Sequence, residues 1–207
     1  AKSLECTYFL NEYDEFNQRL AAIAKRDPAN IRVAAMSAFA ANQLQQDDLY
    51  PFCTDPIKLV SFSNIDNHIS EPDQFISCIL DEMNQKNAVW EPYNKATKSG
   101  FQTNNKLFSN PSPNMQTLEN ILKKELNSFK SKFEGTKNIL FRDWPSKIEF
   151  AAWYVRMFQN GHQESHIHTS GWVSGVLYLK TVQFPIQDEG AIEFGLHGYN
   201  YPVFNED

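Results

Sequence analysis

Cysteine is scarce in this chain of 207 residues: Cys6, Cys53 and Cys78 stand far apart, with no Cys-x-x-Cys pair. An odd, scattered set argues against a disulfide framework and against a zinc ribbon. The expected role is that of small buried hydrophobes in a reducing, cytoplasmic compartment. No apolar run approaches the about 20 residues that a membrane-spanning helix needs. Positive charge is outweighed, with 19 Lys and Arg against 25 Asp and Glu, giving a net charge of −6. That removes the overall basic footprint of a nucleic-acid binder. Neither a nucleic acid nor a membrane is therefore expected as a partner. Also missing are a Gly-x-Ser-x-Gly elbow, a P-loop, a dinucleotide-binding glycine fingerprint and any Ser/His/Asp set that can be placed. What is present is apolar: 42% of residues are hydrophobic and 14% aromatic. Disorder and a disulfide-stapled mini-protein are thereby excluded, and one medium domain, or a small domain with an appendage, is implied.

The chain reads as helices first and strands afterwards. Phe16, Leu20 and Ile23 recur at helical spacing. Asp27-Pro28 ends that helix and opens a second, from about Asn30 to Gln45, carrying Ile31, Ala35, Met36, Phe39 and Leu44. The pair resembles one tetratricopeptide-type hairpin, and a protein partner through these helices is a further expectation. Lys58 to Ser63 is expected as a short strand. Glu71-Pro72-Asp73 opens a helix over about 71–86, with Phe75, Ile76, Ile79, Leu80 and Met83. Asn87 to Asn110 reads as irregular. Ser112-Pro113 starts the clearest helix, over about 112–133, with Met115, Leu118, Leu122, Leu126, Phe129 and Phe133 in one stripe. Beyond Gly135 the period changes. Ile148 to Phe158, Trp172 to Lys180 and Ala191 to Phe194 are expected strands, and six of the eight glycines lie at or beyond Gly161. The order predicts an α+β fold with helices packed on an antiparallel sheet or sandwich.

Four of the five histidines fall between residues 162 and 197, and the densest segment is Gly161-His162-Gln163-Glu164-Ser165-His166-Ile167-His168. It lies between two expected strands. In extended backbone, residues i and i+2 point to the same side, about 7 Å apart. His166 and His168 are thus candidates to converge on one metal ion, with Ile167 turned inward. Imidazole suits iron, zinc, copper and nickel alike. Two hydrogen-bonded surface histidines are the plainer alternative.

The residues after this pair narrow the choice. An apolar strand ending in Tyr178-Leu179 is followed by a polar loop and then Gly190-Ala191-Ile192-Glu193-Phe194. This order resembles the double-stranded β-helix oxygenases that use Fe(II) and 2-oxoglutarate. Gly161-His162-Gln163, Gly171-Trp172 and Ser174-Gly175-Val176 resemble the branch often attached to tetratricopeptide repeats. Upstream, Tyr50-Pro51-Phe52-Cys53, Gly100-Phe101-Gln102-Thr103 and Lys106-Leu107-Phe108 match that branch too. The resemblance implies residues 1–49 as a tetratricopeptide-like hairpin. It implies residues 50–207 as an antiparallel double-stranded β-helix of jelly-roll or cupin-like type, incomplete at its C-terminus. It also implies Fe(II) on His166 and His168, 2-oxoglutarate as cosubstrate, and hydroxylation of an unnamed substrate, a small molecule or a protein. Tyr178 becomes a candidate hydrogen-bond donor to the cosubstrate carboxylate.

Two departures accompany the resemblance. The family's pair is His-x-Asp, whereas this chain has His-x-His, so the triad of two histidines and a carboxylate is not met at this point. Glu164 is the alternative oxygen ligand. The family's distal histidine and its cosubstrate-anchoring arginine lie on later strands, and His197 follows His168 by only 29 residues, too early for that role. With its start at Ala1 and its stop at Asp207, the chain is expected to be a fragment. Such a fragment should bind Fe(II) weakly and turn over no 2-oxoglutarate. A cupin-like metal enzyme without 2-oxoglutarate and an inactive protein-binding module are the rival readings. Arg156 is expected in an ion pair, Trp172 as filler, Gln102 and Thr103 facing the site, and His68 isolated and exposed.

Overall fold

The computed structural model describes residues 1–181, 188–195 and 201–204. Six helices lie in it: α1 (Lys2–Phe9), α2 (Tyr13–Arg26), α3 (Ile31–Gln43), α4 (Pro72–Asn84), α5 (Pro113–Lys132) and the single turn α6 (Ile139–Arg142). Three strands, β1 (Ala88–Trp90), β2 (Thr97–Thr103) and β3 (Val155–Gln163), form one antiparallel sheet in the order β1-β2-β3. The class is α+β, as the sequence predicts. Among the described residues there is one three-stranded sheet rather than the two facing sheets of a double-stranded β-helix.

The helical expectations hold, with local differences. α2 carries Asp14 and Glu15 in its first turn and Lys25 and Arg26 in its last, complementing the helix dipole, and it buries Phe16 and Leu20. Pro28 does not open the next helix. Asn30 caps it instead, its side-chain oxygen accepting from the Val33 amide at 3.2 Å. α1 is additional to the helices that the periodicity gives. Glu5 on α1 takes both the Nε and an Nη of Arg32 on α3, at 2.7 and 3.0 Å. α5 begins where Ser112 accepts from the Met115 amide, with Pro113 in the first turn. Glu82 of α4 clamps that end, accepting from Ser112 Oγ at 2.6 Å and Asn114 Nδ2 at 2.9 Å.

Two apolar clusters hold the chain together. The first combines α1–α3 (Leu4, Tyr8, Phe16, Leu20, Met36, Phe39) with Tyr50, Phe52 and Leu140, and so joins residues on both sides of position 49. Tyr50 is fully buried; its hydroxyl accepts from the Asn30 amide at 2.8 Å and donates to the Asp27 carbonyl, fixing the α2–α3 turn. The second is Ile79 and Met83 of α4 against Met115 and Leu118 of α5, with Leu107, Phe108, Tyr154 and Leu179 packed on it. α5 bridges the two, because Phe129 and Phe133 near its end pack on the first cluster. The stripe is therefore shared between two cores. Ile121 is buried while Leu122 is half-buried.

The strand expectations need correction. Lys58 to Ser63 forms no strand: Pro56 opens a 3-10 turn over Pro56–Leu59, and Phe62 is exposed. The stretch 87–110 holds β1 and β2, whose Thr, Lys, Ser and Gln residues conceal strands that exist through pairing. β3 starts later than expected and runs through Gly161 to Gln163. Its ladder begins at Val155 because Thr103 Oγ1 takes the Tyr154 amide at 2.9 Å. Residues 172–180 and 191–194 carry no strand. An alternating pattern becomes a strand only where a neighbour supplies the ladder, and none does so among the described residues. Cys6 is exposed, Cys53 and Cys78 half-buried, rather than uniformly buried.

Candidate metal centre

The site lies where β3 ends. β2 and β3 pair at Lys98↔His162 and again at Gly100↔Met157, with an irregularity between the two pairs. Ser99 (φ 46°) and Asn160 (φ 61°) turn the backbone there. Gly161 sits against β2 so closely that a Cβ would stand 2.7 Å from the Ser99 carbonyl oxygen. The Glu164 amide then donates to the Ala96 carbonyl at 2.9 Å, carrying the pairing one residue beyond β3. The histidine segment therefore leaves from an anchored strand end. Gln163 Nε2 donates to Thr97 Oγ1 at 3.2 Å, and that hydroxyl donates to Gln102 Oε1 at 2.7 Å. Gln102 thus reaches the base of the segment through Thr97 and Gln163 and does not touch a histidine. Thr103 faces Tyr154 instead.

His166 and His168 converge. Their ring centroids are 4.7 Å apart with the planes at 90°, and the two Nε2 atoms are 3.1 Å apart. His166 Nδ1 lies 2.7 Å from the Glu164 carbonyl oxygen. A carbonyl only accepts, so Nδ1 carries a proton, and in the neutral tautomer Nε2 presents its lone pair. Ile167, between them in sequence, is half-buried. His168 is the more enclosed of the two, with the Trp153 ring 5.3 Å away. Burial, then the charges of His166 and Lys95, hold its imidazole below the ordinary value of 6.5 and favour the neutral, ligating form. A shallow cleft of 490 Å³ borders His166, lined also by Tyr93, Lys95, Lys98 and Glu164 among others.

This donor pair can be tested against a metal. Ligands at about 2.1 Å on adjacent corners of an octahedron are about 3.0 Å apart. The observed 3.1 Å between Nε2 atoms fits that spacing. It equally fits one N–H···N hydrogen bond between neutral imidazoles. Glu164 does not join them: its carboxylate pairs with Lys98 at 3.5 Å. Among the described residues no cluster of three or more His, Cys, Asp or Glu forms.

The other candidates are dispersed. Tyr178 is 49% exposed, and no hydrogen bond or ring contact joins it to the pair. Trp172 is filler, donating Nε1–H to the Leu140 carbonyl at 3.0 Å and meeting Phe52 edge-on. Arg156 makes no ion pair among the described residues; its guanidinium lies over Phe101 and Phe158. The isolation expected of His68 is overturned: it is largely buried and bonded to Glu125 of α5. The Ser63 and His68 hydrogen bonds lower the Glu125 carboxyl below its usual range. His197 lies outside the described residues. Trp153 is the neighbour that sequence reading missed, since one aromatic in a predicted strand gives no sign of which face it takes.

Residues 151–197, which contain both histidines, match the family model described as “Putative 2OG-Fe(II) oxygenase”. The resemblance drawn from the motifs holds at family level over this segment. No curated protein and no solved structure matches the chain. No helix among the described residues is long and apolar enough to cross a membrane.

Proposed function

We propose that this chain is an Fe(II)- and 2-oxoglutarate-dependent dioxygenase domain of a reducing compartment, with iron held by the Nε2 atoms of His166 and His168. The observation that carries the reading is their convergence at 3.1 Å, within the segment that matches the oxygenase family model. In this reading β1–β3 form part of a double-stranded β-helix, and α2 and α3 belong to a tetratricopeptide-like region. When bound, iron with 2-oxoglutarate supplies the oxidation that turns a substrate C–H into C–OH, with succinate and CO₂ as co-products. The chain's own residues supply geometry and environment. The Glu164 carbonyl sets the His166 tautomer, as an outer-shell acceptor does for a ligating imidazole. The Trp153 ring shields one side of His168 from water. The Gly161 contact fixes the strand end from which both histidines depart.

Calorimetric titration of the apo chain with Fe(II) under anaerobic conditions tests the pair. A double H166A/H168A variant should lose at least tenfold in affinity while its unfolding free energy from urea denaturation at neutral pH stays within about 0.5 kcal/mol, because neither ring is a core group. Equal metal uptake by the variant refutes the ligand assignment. Succinate release that requires both iron and 2-oxoglutarate, assayed on a protein in which this domain has its third ligand, separates this reading from a cupin-like enzyme.

A further inference from the structure

Residues 201–204, Tyr-Pro-Val-Phe, form neither helix nor strand, yet they are held at a groove between α1 and α3. Tyr201 is the anchor, 9% exposed, with its ring centroid 5.3 Å from Phe39, 5.6 Å from Phe9 and 6.2 Å from Tyr8. Among the described residues two polar contacts accompany it, and both go to main-chain atoms of the segment. The Tyr8 hydroxyl donates to the Pro202 carbonyl at 3.2 Å. The Phe204 amide donates to the Gln43 side-chain oxygen. Between them Pro202 brings no amide of its own, so it adds no donor to be satisfied. Phe204 closes the segment at the rim, half exposed and 6.4 Å from Tyr8. The bidentate Glu5–Arg32 pair spans α1 and α3 beside this groove.

This is the way an extended peptide is recognised: backbone bonds at alternate residues, and one aromatic anchor in a pocket for specificity. These contacts depend on the chemistry of the segment rather than on its covalent link to the helices. We propose that the groove between α1 and α3 is a peptide-binding site for extended Tyr-Pro-x-aromatic segments of a protein partner, and that Tyr201–Phe204 occupies it in cis as a competing ligand. The proposal is independent of the iron chemistry. The lining chemistry sets the ligand class: aromatic faces, one hydroxyl donor and one amide acceptor favour a neutral aromatic segment. The hydroxyl remains a donor across the working range, because burial and then Tyr13 push Tyr8 up to about 12.

The test uses the full chain and a labelled, end-blocked peptide containing Tyr-Pro-Val-Phe, followed by fluorescence anisotropy. A tethered competitor acts at an effective concentration in the millimolar range. The Tyr201→Ala chain should therefore bind the peptide at least tenfold more tightly than the unaltered chain. A peptide with its Tyr replaced by Ala should lose binding, and adding Gln43→Leu to Tyr201→Ala should weaken binding severalfold. No binding by a folded Tyr201→Ala chain, or equal binding by both chains, overturns the proposal. Should Tyr201→Ala unfold, the unaltered chain gives the answer. Millimolar peptide should speed hydrogen exchange at the Phe204 amide, and unchanged protection there overturns the proposal.

Discussion

Gly161→Ala is the substitution most sensitive to how β3 carries the histidine segment. A Cβ built there stands 2.7 Å from the Ser99 carbonyl oxygen, 2.8 Å from that of Phe158 and 3.0 Å from the Phe158 amide nitrogen. All three are backbone atoms, so no side chain can rotate aside. Relief requires β2 and β3 to part at Ser99 and the β3 backbone itself to shift between Phe158 and Gly161, at the irregular pairing where Ser99 and Asn160 have positive φ. Overpacking of this kind costs about 1–3 kcal/mol, and three backbone contacts put the expectation at the upper end. For a chain of this size each kcal/mol lowers the melting temperature by about 2–4 °C, so a loss of roughly 5–10 °C is expected. Gly175 is the internal control, exposed and with nothing within 4 Å of a Cβ. Gly175→Ala should be neutral or stabilising by up to about 1 kcal/mol, through the unfolded chain alone. Urea denaturation of both variants reads the difference, with m unchanged if only stability moves. Equal midpoints for the two variants would refute the close approach of β3 to Ser99.

Three further outcomes are expected. Leu118, 6% exposed between α4 and α5, should cost about 2–5 kcal/mol on truncation to Ala, and half-buried Leu122 distinctly less; equal losses in denaturant melts would contradict the packing. In NMR titration the His168 ring should protonate below 6.5, and its value should rise partway in His166→Ala, since burial remains. Because the folded value is depressed, the stability it contributes is complete above pH 6.5 and is lost as pH falls through the folded value; a His168→Ala chain whose stability falls as much as the unaltered chain's across that window would contradict this. Alkylation at pH 8 should mark exposed Cys6 first, while Cys53, pushed up to about 11 by burial and then by Asp48 and Asp55, resists; mass spectrometry showing equal labelling would refute its enclosure.

The helices were legible because their signals are local. Ser112-Pro113 states a cap and a first turn within two residues, and that cap bond forms, from the Met115 amide to Ser112 Oγ. The His-x-His spacing is local in the same sense: alternation alone places two side chains on one side, and the rings do converge. What was not legible depends on partners far along the chain. β2 reads as a polar loop, and it is a central strand because β3 pairs with it from more than 50 residues away, on the side opposite its nearer neighbour β1. His68 reads as isolated, yet it meets Glu125 on α5.

The same distinction explains the segments that carry a strand pattern without a strand. Val176, Leu177 and Tyr178 are exposed, as are Ile192 and Phe194, so their alternation is not yet satisfied by burial among the described residues. Among the described residues β3 likewise pairs with β2 alone. A period of two records which side chains seek a common face, but it does not name the backbone that completes the ladder. The histidine pair inherits this asymmetry. Its position is fixed from the β2 side, by Gly161, Thr97 and the Ala96 carbonyl. A third ligand would have to approach from the opposite side of the pair, where local sequence carries no comparable signal. For the proposed centre, two donors from one short segment are thus what sequence can reveal, and any further ligand would be a property of the tertiary fold.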